Sequence, residues 1–267
     1  MKVFKGNKSL IIGCIITGIV LLTAFVGLFW TPYSTTEMSL ALKNKGPSLA
    51  HIFGTDNFGR DIFSRVMQGM GTSAIVSVTT ILIGMTVGSA IGFISGYIGG
   101  WFDEILMRII DVINAFPSML LALIFVSFMG TGLLNIILAL GILFVPSFAR
   151  IARSEMLRLK GMQFVQSAVL SKAPHGRIIF AHIMPNALPS ILSSAAVGFN
   201  NAVLAEAGLS YLGLGAQPPD ASLGRMISEA SGYLVQAPWF ALTPGVAIIV
   251  LILGIALISD GLTRVRW

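Results

Sequence analysis

The chain has 267 residues, 55% of them hydrophobic and 10% charged, and a formal net charge of +6. Soluble domains carry about 25% charged residues spread along their length, so this composition excludes an ordinary water-soluble fold and makes the bilayer the natural solvent for the apolar runs. The basic residues lie between those runs and not on one amphipathic face, which excludes a nucleic-acid footprint and matches the loop bias of membrane proteins.

The first apolar run extends from Leu10 to Trp30 and follows Lys2, Lys5 and Lys8. Roughly 20 residues at 1.5 Å rise cross a ~30 Å hydrocarbon core. No small-residue cleavage site follows, so a retained anchor is expected and not a removed signal. The single cysteine, Cys14, lies in this run. It excludes an intramolecular disulfide and a thiolate metal cluster, and is read as a membrane-facing thiol. Residues Thr31 to Gln68 are too polar for the bilayer. Within them Asp56, Arg60 and Asp61 have helix-start chemistry, which predicts a capped amphipathic helix lying at the interface.

A second span is expected from Gly71 to Ile98, with Gly84, Gly88, Gly92 and Gly96 on one helix face. Small faces let membrane helices approach closely, so packing is their expected role. A third span runs from Val112 to Met129, Gly130-Thr131-Gly132 turns the chain, and a fourth runs from Leu134 to Phe148. A basic segment with Arg150, Arg153, Arg158, Lys160, Lys172 and Arg177 leads to a fifth span, Ala187 to Leu204, and a sixth, Phe240 to Ser259. The expected fold is therefore all-α and integral to the membrane, with six transmembrane helices.

With both termini cytoplasmic, the inner segments hold the three N-terminal lysines, Arg108, the basic segment, Arg264 and Arg266. The outer segments hold only Lys43, Lys45, Arg60, Arg65 and Arg225. That asymmetry follows the positive-inside rule.

The chemistry that is missing narrows the function. No glycine-rich loop ends in Gly-Lys-Ser or Gly-Lys-Thr, so the chain has no phosphate cradle of the ATPase kind. The six expected spans contain no Asp, Glu, Lys, Arg or His, whereas a proton- or sodium-coupled carrier keeps such groups at midplane. An ion-coupled carrier or a stand-alone channel is the alternative reading. His51, His175 and His182 sit in separate segments without ligand spacing or a nucleophile beside them, so no catalytic or metal site is expected. Asn200 and Asn201 interrupt the fifth span. Amides in hydrocarbon need partners, either another helix or a hydrated path, and the pair is a candidate lining of a translocation path.

Four stretches together resemble the dipeptide/oligopeptide/nickel class of bacterial ABC importer permeases. They are His51-Ile52-Phe53-Gly54-Thr55-Asp56-Asn57-Phe58-Gly59-Arg60-Asp61 continuing to Arg65; Gly96 to Asp103 with Arg108, Asp111 and Phe116-Pro117; the segment Phe164 to Asn186; and Glu206 to Gly215 with Gln217-Pro218-Pro219. The resemblance implies a bacterial inner-membrane subunit without catalytic chemistry or cofactor of its own. Residues 1–70 would form an anchor span and external segment, and residues 71–267 the core permease. It would form half of a path for a peptide, nickel or metal chelate, with a second permease, two cytoplasmic subunits that bind ATP and Mg, and an external binding protein as partners.

The resemblance further implies a cytoplasmic coupling helix between spans four and five that touches the ATPase subunit through Phe164, Val165, Gln166, Ser167, Ala168, Lys172, Ala173 and Pro174. An amphipathic helix pressed into a partner groove is physically suited to that role. The family pattern opens Glu-Ala-Ala and places glycine a few residues on, where this chain has Gln166-Ser167-Ala168 and Lys172. A left-handed turn at lysine carries a steric cost. Pro174, as the first residue of a following helix, is expected to make the break without glycine.

Overall fold

The protein is described by a computed structural model covering residues 8–264, with the side chains of 262–264 excepted. Lys2, Lys5 and Arg266 lie outside the described residues, as does the side chain of Arg264. The described residues form helices in the order α1 (Lys8–Phe29), α2 (Ile62–Ile98), α3 (Gly100–Ala115), α4 (Ser118–Met129) and α5 (Leu133–Lys160). They continue with α6 (Gln163–Leu170), α7 (His175–Arg177), a π-helical turn (Ile178–Ile183), α8 (Met184–Tyr211), α9 (Leu223–Ala230) and α10 (Pro238–Arg264). Five helical stretches are long and apolar enough to cross a membrane, counting His175–Tyr211 as one, and the bent pair α3–α4 makes six if taken as a single span.

The expected third span, Val112 to Met129, is not one straight helix. α3 and α4 meet at 89°. Pro117 supplies no N–H to continue the ladder and biases its predecessor away from helical geometry, and Phe116 is extended at φ −85°, ψ 142°. The expected interfacial helix around Asp56 also differs. Residues 43–61 are a loop, and the capping chemistry belongs to α2 itself, which starts nine residues before the expected Gly71. Asp61 Oδ2 accepts from the Ser64 amide at 2.8 Å and from Ser64 Oγ at 2.7 Å. The helix starts at the cap and not at the edge of the apolar run.

The chain forms two compact units. One contains residues up to Val78, Phe125–Ile137 and the chain from Phe199 onward. In it α1 lies along α10, with Gly13 against Leu257 and Ile258, and Gly254 against Thr17. Gly27 of α1 meets Met67 of α2, and α9 packs through Gly224 on Ala207 of α8. Cys14 is exposed on α1.

The other unit contains Thr79–Ile124 and Leu138–Gly198. Its core is the glycine face of α2. A Cβ on Gly84 would come to 2.6 Å of Phe144 Cβ, one on Gly88 to 2.8 Å of Phe148 Cβ, and one on Gly92 to 2.9 Å of Ala152 Cβ. Gly96 faces Met156. The four glycines therefore act as the sequence suggests, as the seat of α5 on α2.

Candidate coupling segment and buried charge clusters

α6 is short and two-faced. Val165 is buried, while Phe164 and Leu170 are exposed. Gln166 and Ser167 stay local, donating to Gly161 O at 3.3 Å and Gln163 O at 2.9 Å. The helix ends in a two-bond reversal: the Ala173 amide donates to Ala168 O at 3.1 Å, and the Lys172 amide to Val169 O at 2.9 Å. This is the Schellman closure, and it requires a left-handed residue between the two bonds. Lys172 fills that place at φ +55°.

The turn is thus made by lysine itself. Pro174, expected as the first helical residue, is the N-cap of α7 with ψ 143°. An L-residue other than glycine pays about 1–2 kcal/mol for this conformation. Lys172→Gly is accordingly expected to stabilise the turn by about 1 kcal/mol. Hydrogen exchange of the α6–α7 amides in the assembled complex should slow, and faster exchange would show that no strain is relieved.

Two ion pairs tie α5 to α3. Arg153 donates from Nε and Nη2 to the two oxygens of Asp103, each at 2.6 Å, and Arg150 donates to Asp111 at 2.8 Å. Ser95 also donates to Asp103. Asp103 and Asp111 belong to one of the stretches on which the family resemblance rests.

The other unit holds a buried charge cluster. Asp56 is fully buried and accepts from Arg60 Nε at 2.7 Å, Arg65 Nη1 at 2.6 Å, and the amides of Phe58 and Arg60 at 2.8 and 2.9 Å. Both arginines also reach Glu229 Oε2 at 3.0 Å, and Arg225 reaches Glu229 Oε1 at 3.2 Å. Arg225 further donates to Ala216 O at 3.1 Å, binding the segment before α9 to the cluster. His51 Nδ1 stands 2.9 Å from Asp61 Oδ1. Arg60, Arg65 and Arg225 are therefore used internally.

Burial pushes the Glu229 carboxyl up, but Arg65, Arg60 and Arg225 outweigh it and hold the group below its ordinary value of 4.5. A carboxyl depressed on folding adds stability that is complete above the unfolded pKa and lost as pH falls through the folded one. The α9 region is expected to keep its amide protection down to about pH 4.5 and lose it progressively below. Glu229→Gln should abolish that acid step, and an unchanged acid profile would contradict the assignment.

Asn200 and Asn201 are successive residues of α8 and point to different sides. Asn201 is exposed, whereas Asn200 is half-buried with its Oδ1 enclosed and without a partner among the described residues.

Glu206 corrects the expectation of spans free of ionisable groups. α8, which carries the expected fifth span, runs past Leu204 to Tyr211. Glu206 lies within that extension, fully buried, accepting from Ser73 Oγ and Ser210 Oγ at 2.6 Å each. The partner on α2 is far away in sequence, so only the acid's place just beyond an apolar run could have flagged it. Among the described residues, no group of three or more His, Cys, Asp and Glu is arranged to hold a metal ion.

Comparison with known proteins agrees with this architecture. The profile of the binding-protein-dependent transport system inner membrane component family matches residues 88–265. The dipeptide transport system permease protein DppC of Alkalihalophilus pseudofirmus is 41% identical over 262 residues, covering 98% of this chain and 86% of that protein. The glutathione transport system permease protein GsiD of Pectobacterium atrosepticum is 40% identical, covering 82% of this chain and 73% of that protein. GsiD of Escherichia coli O157:H7 is 43% identical with coverages of 82% and 72%. A solved structure of the MetNI methionine ABC transporter in inward-facing conformations aligns with TM-score 0.64 at 17% identity, covering 75% of this chain and 95% of the matched chain. That likeness supports the helical membrane fold alone. With the profile covering residues 88–265 and a named permease 41% identical over 98% of this chain, the protein belongs to the binding-protein-dependent transport system inner membrane component family.

Proposed function

We propose that this multi-pass membrane chain forms one half of the translocation path of an ATP-driven importer of short peptides. The observation that carries the reading is the near full-length likeness to a dipeptide permease. The glutathione permeases support it, and together they favour a peptide over nickel or a metal chelate. The partners are a second homologous permease, two cytoplasmic subunits that bind ATP and Mg, and an external protein that delivers the substrate. Residues 1–70 serve as anchor and external segment, and residues 71–267 as the permease core.

Both termini are placed in the cytoplasm. Ion pairs engage basic residues of both sets, Arg60, Arg65 and Arg225 outside and Arg108, Arg150, Arg153 and Arg158 inside, and the larger number of basic residues in the inner segments supports this orientation. The segment Phe164 to Pro174 couples the ATPase subunits to the spans. Val165 anchors α6 to its own unit while Phe164 and Leu170 are free to enter a partner groove. Asn200, with its enclosed oxygen, and Asn201 line the path or meet the second permease.

The test is purification of the tagged chain with its partners, followed by ATP hydrolysis with and without loaded binding protein. The double variant Phe164→Ala, Leu170→Ala is expected to lower the stimulated rate by about tenfold or more, as loss of a buried anchor does. Full stimulation in the double variant would remove α6 from the coupling role.

A further inference from the structure

At the junction of α2, α5, α6 and α7 lies a cavity of about 570 Å³. Its floor is apolar and includes the buried Val165 and Ile178. Its polar lining is Tyr97, Lys160, Lys172 and His175, with no acidic residue. Lys160 is the last residue of α5, and Tyr97 is the penultimate residue of α2. The cavity thus sits where two membrane-crossing helices end.

The polar groups are held in place. Lys160 Nζ donates to Tyr97 O at 2.7 Å and stands 5.3 Å from the centre of the Tyr97 ring. That uses one of its three N–H donors and leaves two. The Tyr97 hydroxyl is bonded to His175 Nδ1. With the phenol donating, the imidazole carries its own proton on Nε2 and can donate it. Lys172 adds a second ammonium from a backbone position at φ +55° that glycine would occupy without strain. A strained backbone is maintained where the side chain has a use, and this one lines the cavity.

We propose that this cavity binds a phosphate group, with Lys160, Lys172 and His175 as its donors and Tyr97 as the post that positions two of them. The favoured source is the phosphodiester of an anionic phospholipid, because the apolar floor beside the basic rim suits a headgroup with its glycerol. Basic pockets at the cytoplasmic ends of spans take such groups. The proposal does not depend on α6 contacting an ATPase subunit.

The experiment uses the complete complex in phosphatidylcholine nanodiscs doped with phosphatidylglycerol. Phosphatidylglycerol retained through delipidation is counted by native mass spectrometry. A parallel arm titrates inorganic phosphate in detergent and follows hydrogen exchange across α6 and α7. Preferential retention of phosphatidylglycerol is expected, falling roughly tenfold in Lys172→Gln with His175→Gln, and in Lys160→Gln with His175→Gln. Arg158→Gln, an exposed cation that pairs with Glu155 and does not line the cavity, should retain the lipid as the unmodified complex does.

Protection by inorganic phosphate with the same variant dependence, and no lipid preference, would assign the site to a soluble phosphate. Absence of both effects, or an equal loss in Arg158→Gln, would overturn the proposal. If one double variant fails to assemble, the other is read in its place.

Discussion

Asp56→Ala is expected to cost the assembled protein about 3–5 kcal/mol, the penalty for leaving a buried ion pair without one partner. Asp56 is fully buried and Arg65 is 2% exposed, so water cannot replace the missing carboxylate. The substitution strands two guanidinium groups and two backbone amides at once, with Glu229 as the remaining acid of the cluster. Thermal unfolding of the purified complex should show a large drop in midpoint. Adding Arg65→Met to Asp56→Ala should restore part of it, because the second change removes a charge that has lost its counter-ion. A loss below 1 kcal/mol, as exposed pairs give, would mean that the cluster is hydrated and not buried.

The second large effect is expected at Gly92. Its added Cβ would run into the Ala149 carbonyl, and would lie 2.8 Å from the Arg153 amide and 2.9 Å from Ala152 Cβ. The first two obstacles are backbone, so rotamer changes cannot relieve them and α5 must move away from α2. Gly92→Val should cost about 1–3 kcal/mol or more from overpacking alone. It should also loosen the Arg153–Asp103 pair, whose arginine sits on the displaced turn of α5. Gly245→Ala in α10 is the matched control, since nothing lies within 4 Å of its added Cβ. It should be neutral or slightly stabilising through helix propensity. Equal destabilisation by the two variants would show that the α2 glycines are not a packing face.

The membrane class and most of the spans were legible because an unbroken apolar run has only one comfortable solvent. The glycine face was legible because a four-residue spacing stacks side chains along one side of a helix. The bend in the third span is hidden in the composition because apolarity continues through Pro117 while the backbone ladder does not. The start of α2 is hidden there too, because Asp61, and not the onset of the apolar run, supplies the cap. At Lys172 the position of the break could be read from the following Ala173-Pro174, but its form could not. The closure is decided by two amide bonds back to Ala168 and Val169 that lysine accepts at a steric cost. Partners far apart in sequence were out of reach: nothing local to Glu206 points to Ser73, and nothing local to Arg65 points to Glu229.

These corrections bear on how energy reaches the protein. The buried Glu206 removes one premise for borrowed energy, the absence of ionisable groups in the spans. The family assignment supports that conclusion independently.

Uptake of a labelled dipeptide into proteoliposomes tests the central claim most directly. Uptake is expected only when this chain is reconstituted with the second permease, the ATPase subunits, ATP and the loaded binding protein. It should be absent from vesicles holding this chain alone under any proton or sodium gradient. Gradient-driven uptake by the chain alone would contradict the account and make it a carrier in its own right.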